Sequence, residues 1–271
     1  MSIVTKVTAQ RRKGHYNIFL DDHYAFSVSE QTLTKFRLLK GVELTTDQVN
    51  EIKDAEKDSK ATELAINYLS YQPRSTAEVR QYLTKAEMTE NAIENAVINL
   101  QDLGYLDDYN FAKLFVKNNL QVGKDGPNAI KQKLGRKKVE SNLIEDVLYE
   151  IDDEAWLEPG LRLIHSLVHQ QGKLATKEIE RKAQQKLLSH GFNKELSDLI
   201  VAKLDLKNDE EDQLIALKKQ GIKVYKRYRN DDNFTRSQKV RRYLYQHGFS
   251  GNEIEQFLNG EIVDLSEIDE Y

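Results

Sequence analysis

One spacing of apolar residues occurs four times along the chain, and nothing else in the sequence restricts its fold as strongly. The copies are Val79-x3-Leu83-x4-Met88-x4-Ile93, Ile130-x3-Leu134-x4-Val139-x4-Ile144, Ala183-x3-Leu187-x4-Phe192 and Val240-x3-Leu244-x4-Phe249-x4-Ile254. Each continues to an apolar pair: Ala96 and Val97, Val147 and Leu148, Ile200 and Val201, Phe257 and Leu258. The third copy departs once, with Ser197 at an apolar position beside Leu196. The copies begin 51, 53 and 57 residues apart, and the last two share a His-Gly-Phe tripeptide at 190–192 and 247–249. Repetition at this period marks a tandem array, in which a unit too small to bury a core alone is completed by its neighbours.

Each copy reads as three helices. The first is apolar, with Leu64, Ala65, Tyr68 and Leu69 in copy one and Phe111, Ala112 and Phe115 in copy two. The second carries the x3 pair, and the third follows the turn at Met88, Val139, Phe192 or Phe249. Capping boxes are expected at Ser75-x-x-Glu78 and Thr235-x-x-Gln238. With only 3 prolines in 271 residues, long helices are favoured. The first residues differ. Tyr16, Ile18 and Leu20, then Tyr24, Phe26 and Val28, alternate on either side of Asp21-Asp22-His23, which predicts two strands and a tight turn. Ile3, Val4 and Val7 suggest a strand before them, and Leu33, Phe36 and Leu39 an amphipathic helix after them, ended at Gly41. The expected fold is mainly α: an elongated, curved array of three-helix repeats behind a small N-terminal β-meander and helix. Expected bounds are 1–59 for the N-terminal part, 60–107, 108–152, 153–208 and 209–260 for the repeats, and 261–271 for an acidic tail.

The chain has no cysteine, which excludes disulfides, thiolate metal sites and a cysteine nucleophile. No apolar run approaches a bilayer span, and the start lacks a signal-peptide layout, so no membrane partner is expected and the cytoplasm is the expected compartment. The net charge of −4 hides segregation. Residues 213–249 hold ten Lys or Arg against Asp231 and Asp232, and residues 117–139 hold seven against Asp125. Beyond residue 249 there are seven acids and no base. Blocks of opposite sign mark patterned surfaces, where binding information lies.

The second helices carry the bases: Lys131, Lys133, Arg136, Lys137 and Lys138 in copy two, Arg236, Lys239, Arg241 and Arg242 in copy four. The third helices open with acids such as Glu90, Glu195 and Glu253, which suit a helix N-terminus. Tyr243–Leu258 has the outline of a DNA-reading helix-turn-helix, but Glu253 and Glu255 would oppose groove and phosphates, so operator reading is disfavoured. Contact with nucleic-acid backbone fits better. Tyr225, Tyr228, Tyr243 and Tyr245 lie among Lys226, Arg227, Arg229, Arg241 and Arg242, a mixture in which rings stack on bases and cations follow phosphates. The same tyrosines also suit a helix core or rim, and both roles stand open.

Catalytic patterns are absent. There is no phosphate loop and no dinucleotide fingerprint. His165 and His169 stand four apart, but no His-Glu-x-x-His pattern completes a metal site. The runs Asp152-Asp153-Glu154 and Asp209-Glu210-Glu211-Asp212, and the pairs Asp107-Asp108 and Asp231-Asp232, read as helix caps. The expectation is a protein that is not an enzyme and needs no cofactor or metal.

A distinctive string completes the reading: Arg74-Ser75-x-x-Glu78-Val79, then Gly104-Tyr105-Leu106-Asp107-Asp108-x2-Phe111-Ala112, then Gly126-Pro127-x-x-Ile130-Lys131. It resembles the RecX regulators of the RecA recombinase, most closely the longer members from Gram-positive bacteria. The family often carries arginines after the Phe-Ala helix; here Lys117-Asn118-Asn119 stands instead. The resemblance implies a helical-repeat protein that binds RecA–single-stranded DNA filaments, with duplex DNA a further candidate, and damps recombinase, ATPase and co-protease activity in recombination, DNA repair and the SOS response; a monomer is expected. The alternative is a stand-alone, non-specific DNA-binding protein.

Overall fold

The computed structural model describes residues 1–204, 206 and 210–270. Asp209 of the second acidic run and Tyr271 of the tail lie outside the described residues. The chain divides into two compact units: residues 1–114 with 134–147, and residues 115–133 with the chain from 148 onward.

The first unit opens with strands β1 (Ser2–Ala9), β2 (His15–Leu20) and β3 (His23–Ser29), a short helix α1 (Glu30–Lys35) and a two-residue strand β4 (Glu43–Leu44). The antiparallel sheet runs β3-β2-β1-β4. Asp21 and Asp22 both take positive φ, the backbone that a two-residue hairpin demands. Val7 faces Ile18 and Ile18 faces Phe26 across the ladders. Alternation therefore places Val4, Ile18, Phe26 and Val28 in one core with Leu38, Leu44 and Ile52. Two expectations are corrected here. The amphipathic helix stops at Phe36, and Gly41 (φ 93) belongs to the turn into β4 rather than to a helix end. Leu39 is exposed, and Leu38 takes the core position. Ile52, on α2 (Thr46–Leu69), joins the sheet core, and the same helix supplies Ala61 and Ala65 to the next core. It therefore runs unbroken through residue 59.

The repeats follow as α2, α3 (Thr76–Lys85) and α4 (Glu90–Asp102); α5 (Asp108–Val122), α6 (Pro127–Arg136) and α7 (Ser141–Tyr149); α8 (Leu157–Ile164), α9 (Thr176–Ser189) and α10 (Lys194–Ala202); and α11 (Glu210–Arg227), α12 (Asn233–Gln246) and α13 (Gly251–Leu258). The four turns after the second helices share one backbone geometry. Amides of Met88, Val139, Phe192 and Phe249 donate to the carbonyls of Leu83, Leu134, Leu187 and Leu244, at 3.1–3.3 Å. The residue before each amide is left-handed: Glu87 (φ 58), Lys138 (φ 57), Gly191 (φ 84) and Gly248 (φ 92). This six-to-one closure satisfies helix-end carbonyls and turns the next apolar residue inward. Ser197 is buried in the third repeat because its hydroxyl donates to the Asn193 carbonyl at 2.6 Å, which lets a polar residue occupy an apolar place.

Neighbouring repeats join by one rule. From the second repeat onward, each turn docks on the N-terminal end of the preceding repeat's second helix. Ser75 donates its hydroxyl to the Lys137 carbonyl at 2.8 Å. The amides of Gly126 and Asn128 donate to the carbonyls of His190 and Gly191, at 2.8 and 3.0 Å. Gly248 approaches Lys177 and Glu178 so closely that an added Cβ would lie 3.0 Å from the Lys177 side chain.

Helix α14 (Leu265–Glu270) follows, and Ile262, Val263, Leu265 and Ile268 pack on the core of Leu217, Val240, Leu244 and Phe257. The acidic tail thus covers the last repeat.

Candidate functional site

The expected cations divide into those committed to the fold and those left to solvent. In the first unit α3 presents Arg80 and Lys85, and the chain around the end of α6 presents Arg136, Lys137 and Lys138. With Glu78 they line a groove of about 620 Å³. Ser75 and Glu78 form the expected capping box of α3. Glu78 also accepts from Lys137 Nζ at 2.7 Å and stands 3.9 Å from Arg74. Burial pushes the Glu78 carboxyl upward, but the Lys137 ammonium and the Ser75 amide outweigh it and hold it below its ordinary value. Lys137 is therefore a structural cation. Arg136, Lys138 and Lys85 are exposed and form no ion pair among the described residues.

Arg80 escaped the sequence reading, and its partner reveals a register. It donates to Glu94, fourteen residues on, at 2.5 Å. Gln184 donates to Asp198 and Arg241 to Glu255 across the same fourteen residues, at 2.8 and 2.9 Å. Each link clips a second helix to its own third helix. Lys131 occupies the matching place in copy two. The hydrogen bond raises the affinity of Arg80 for its proton and lowers that of Glu94. One residue further on, Gln81, Gln132, Gln185 and Arg242 are all exposed.

In copy two Lys133 pairs with Asp125, and Lys131 is exposed. In copy four Lys226, Arg227, Arg229 and Arg242 are exposed, with Arg227 beside the Tyr228 ring. Lys239 pairs with Asp231 at 2.8 Å and lies over Tyr228, and Arg241 is held by Glu255. Arg236, expected on the solvent face, is 4% exposed. Its Nε donates to the Tyr225 carbonyl at 3.0 Å and its guanidinium stacks on the Tyr225 ring, also buried. The cause is register: Arg236 precedes Val240 by four residues and Leu244 by eight, so it shares their inward face. The surface role read for Tyr225 and Arg236 is corrected. Tyr243 is half-buried on His247, while Tyr245 and Phe234 are exposed.

The signature string is mostly structural. Arg74 stacks over Tyr68, which stacks on Tyr82. Gly104 (φ 73) ends α4, and the Tyr105 amide closes on the Leu100 carbonyl at 2.8 Å. Leu106, Phe111 and Ala112 are buried. Asp107 accepts from the Asn110 amide, and Asp108 accepts from the Thr76 amide at the start of α3. Burial raises the Asp108 carboxyl above its ordinary value. Tyr105 is the exposed large ring of the string, at 63%. Asn119 is buried and closes the loop before α6 through Asp125, with its amide donating to the Asp125 carbonyl at 2.8 Å.

The remaining caps differ in part. Asp232, not Thr235, caps α12, and Thr235 lies inside the helix. Asp152 precedes a short 3-10 turn and makes no side-chain cap. Glu253 completes an unexpected capping box with Ser250. His165 and His169 are exposed, edge to face at 6.1 Å. Among the described residues no group of three or more His, Asp or Glu side chains is placed to hold a metal, and no helix is long and apolar enough to cross a membrane.

These features define a tandem three-helix-repeat protein that holds part of its positive charge in internal ion pairs and presents the rest on its surface. Sequence models of the RecX family match it four times: the regulatory protein RecX N-terminal domain over 2–45, and the first, second and third three-helix domains over 61–100, 107–148 and 210–258. The regulatory protein RecX of Lactobacillus gasseri is 59% identical over 271 residues, the whole of both chains, and that of Bacillus subtilis 32% identical over 96% of this chain and 99% of its own. A crystal structure of regulatory protein RecX superposes with a TM-score of 0.64 at 32% identity, covering 74% of this chain and 98% of its own. RecX from Lactobacillus salivarius gives 0.52 at 32% identity, covering 56% and 99%. The chain belongs to the RecX family of regulatory proteins. Helices α8–α10 lie between the second and third matched three-helix domains and close with the same turn.

Proposed function

We propose that this protein binds RecA–single-stranded DNA filaments in the cytoplasm and inhibits recombinase, ATPase and co-protease activity without chemistry of its own, so restraining recombination and the SOS response. Family membership supports a regulatory role. The observation that carries the contact is the groove with Arg136, Lys138 and Lys85 outside any described ion pair, cations that a fold has no need to gather there. Lys226, Arg229 and Arg242 form a second set. The four repeats, bounded near 60, 108, 153, 209 and 260, act as successive contact modules, so weak contacts by each sum to firm attachment. Such binding favours one filament state over another.

The test is the steady-state ATPase of preformed RecA filaments titrated with the protein. Inhibition is expected for the wild type, and it should weaken in Arg136→Ala/Lys138→Gly. Strand binding in that double variant should lose about 1.4 from its log–log salt slope, at about 0.7 per released phosphate contact. Absence of inhibition, together with tight binding to bare single strands, would favour a general DNA-binding protein instead.

A further inference from the structure

Beside the groove lies a second concavity, of about 430 Å³, lined by Tyr71, Gln72, Arg74, Tyr105, Asn110 and Phe111. Tyr71 is 85% exposed and Tyr105 63%. Tyr105 faces solvent because the left-handed Gly104 turns the chain and Leu106 takes the adjoining core place. An exposed ring adds little to core packing, and here two of them line one cleft.

The two concavities adjoin through one ion cluster. Lys137 and Glu78 line the groove, while Phe111 and Arg74 line the cleft. Lys137 Nζ stands 5.6 Å from the centre of the Phe111 ring, and Arg74 stands 3.9 Å from Glu78. Cations outside any described ion pair in the groove and exposed rings in the cleft thus lie on either side of the Lys137–Glu78–Arg74 cluster, a combination that suits an unpaired strand. A duplex keeps its bases stacked inside and offers no ring to such a cleft. The Gln72 amide oxygen accepts from the Arg74 guanidinium at 2.6 Å, which leaves its N–H groups and the exposed Asn110 amide to bond to base edges.

Building on the filament reading, we propose that this cleft is a nucleobase subsite: an unstacked base of single-stranded DNA lies against Tyr71 and Tyr105 while the flanking phosphates lie on Arg136 and Lys138.

The test uses the full chain and thymidine oligonucleotides carrying one 2-aminopurine, whose fluorescence falls on stacking. Wild type and Tyr105→Phe should quench it. Tyr71→Ala/Tyr105→Ala should not, and should bind about tenfold more weakly with an unchanged salt slope. An oligonucleotide of equal length with abasic sites should bind wild type as weakly as the intact one binds that variant. Equal affinity for abasic and intact strands overturns the subsite. So does a loss of filament inhibition in the tyrosine variant that is equally large on abasic strands, which would assign the cleft to the protein partner. Quenching that survives Arg136→Ala/Lys138→Gly and vanishes in Tyr105→Ala upholds the subsite even if RecA is not inhibited, so the two readings fail separately.

Discussion

Charge alone does not decide what a residue does in this protein; its register does. Arg236, Lys137 and Arg241 look like surface cations in a basic block, yet one is buried on a tyrosine, one holds a capping carboxylate and one clips two helices together. Two of the three were open to detection in the sequence. Arg236 keeps the four-residue step of Val240 and Leu244, and the Arg80–Glu94 and Arg241–Glu255 spacings are identical. Lys137 was not, because its partner lies 59 residues away in the preceding repeat. Lys138 differs again. It is exposed and holds a left-handed backbone that costs a non-glycine residue about 1 kcal/mol. Lys138→Gly should therefore raise stability by about 0.5–1 kcal/mol while lowering affinity for single strands. Urea unfolding and strand titration on the same preparation measure both, and a less stable variant would contradict the strain argument.

At the level of elements, the unit of construction is the turn and the helix end that receives it. The apolar spacing made the second and third helices legible. It could not reveal β4, which is two residues long, or the unbroken α2, because strand and helix patterns blur where one helix serves two cores. The sockets were equally hidden, since they join backbone atoms that carry no side-chain pattern. They differ in tightness. A Cβ on Gly191 would lie 2.3 Å from the Ala129 amide nitrogen, on a backbone already left-handed. On Gly248 the nearest atom would be the Lys177 Cβ at 3.0 Å. Gly191→Ala should cost about 3 kcal/mol or more, against about 1–2 kcal/mol for Gly248→Ala. Equal shifts in the urea midpoint would mean that the joint between repeats two and three is no closer than the last one.

Across the whole molecule, stability is a chain of neighbour contacts with distinct ends. The sheet and α1 close the first core, and α14 closes the last. Removing residues 261–271 should expose apolar surface on the fourth repeat and speed amide exchange in α11–α13, with α2–α4 left as protected as before. Exchange that rises equally in α2–α4 would rule out this nearest-neighbour organisation. The repeat count and helical class were readable from spacing alone. The role of the tail was not, because its acids masked the four apolar residues that bind it to the core.

The direction of the sockets matters during synthesis. Each turn docks on a helix end that precedes it in the chain, never on one still to come. As the polypeptide leaves the ribosome, every new turn meets a helix end built moments earlier. Assembly can proceed by accretion from the N-terminal sheet onward, with little apolar surface left waiting for a distant partner and little opportunity to aggregate.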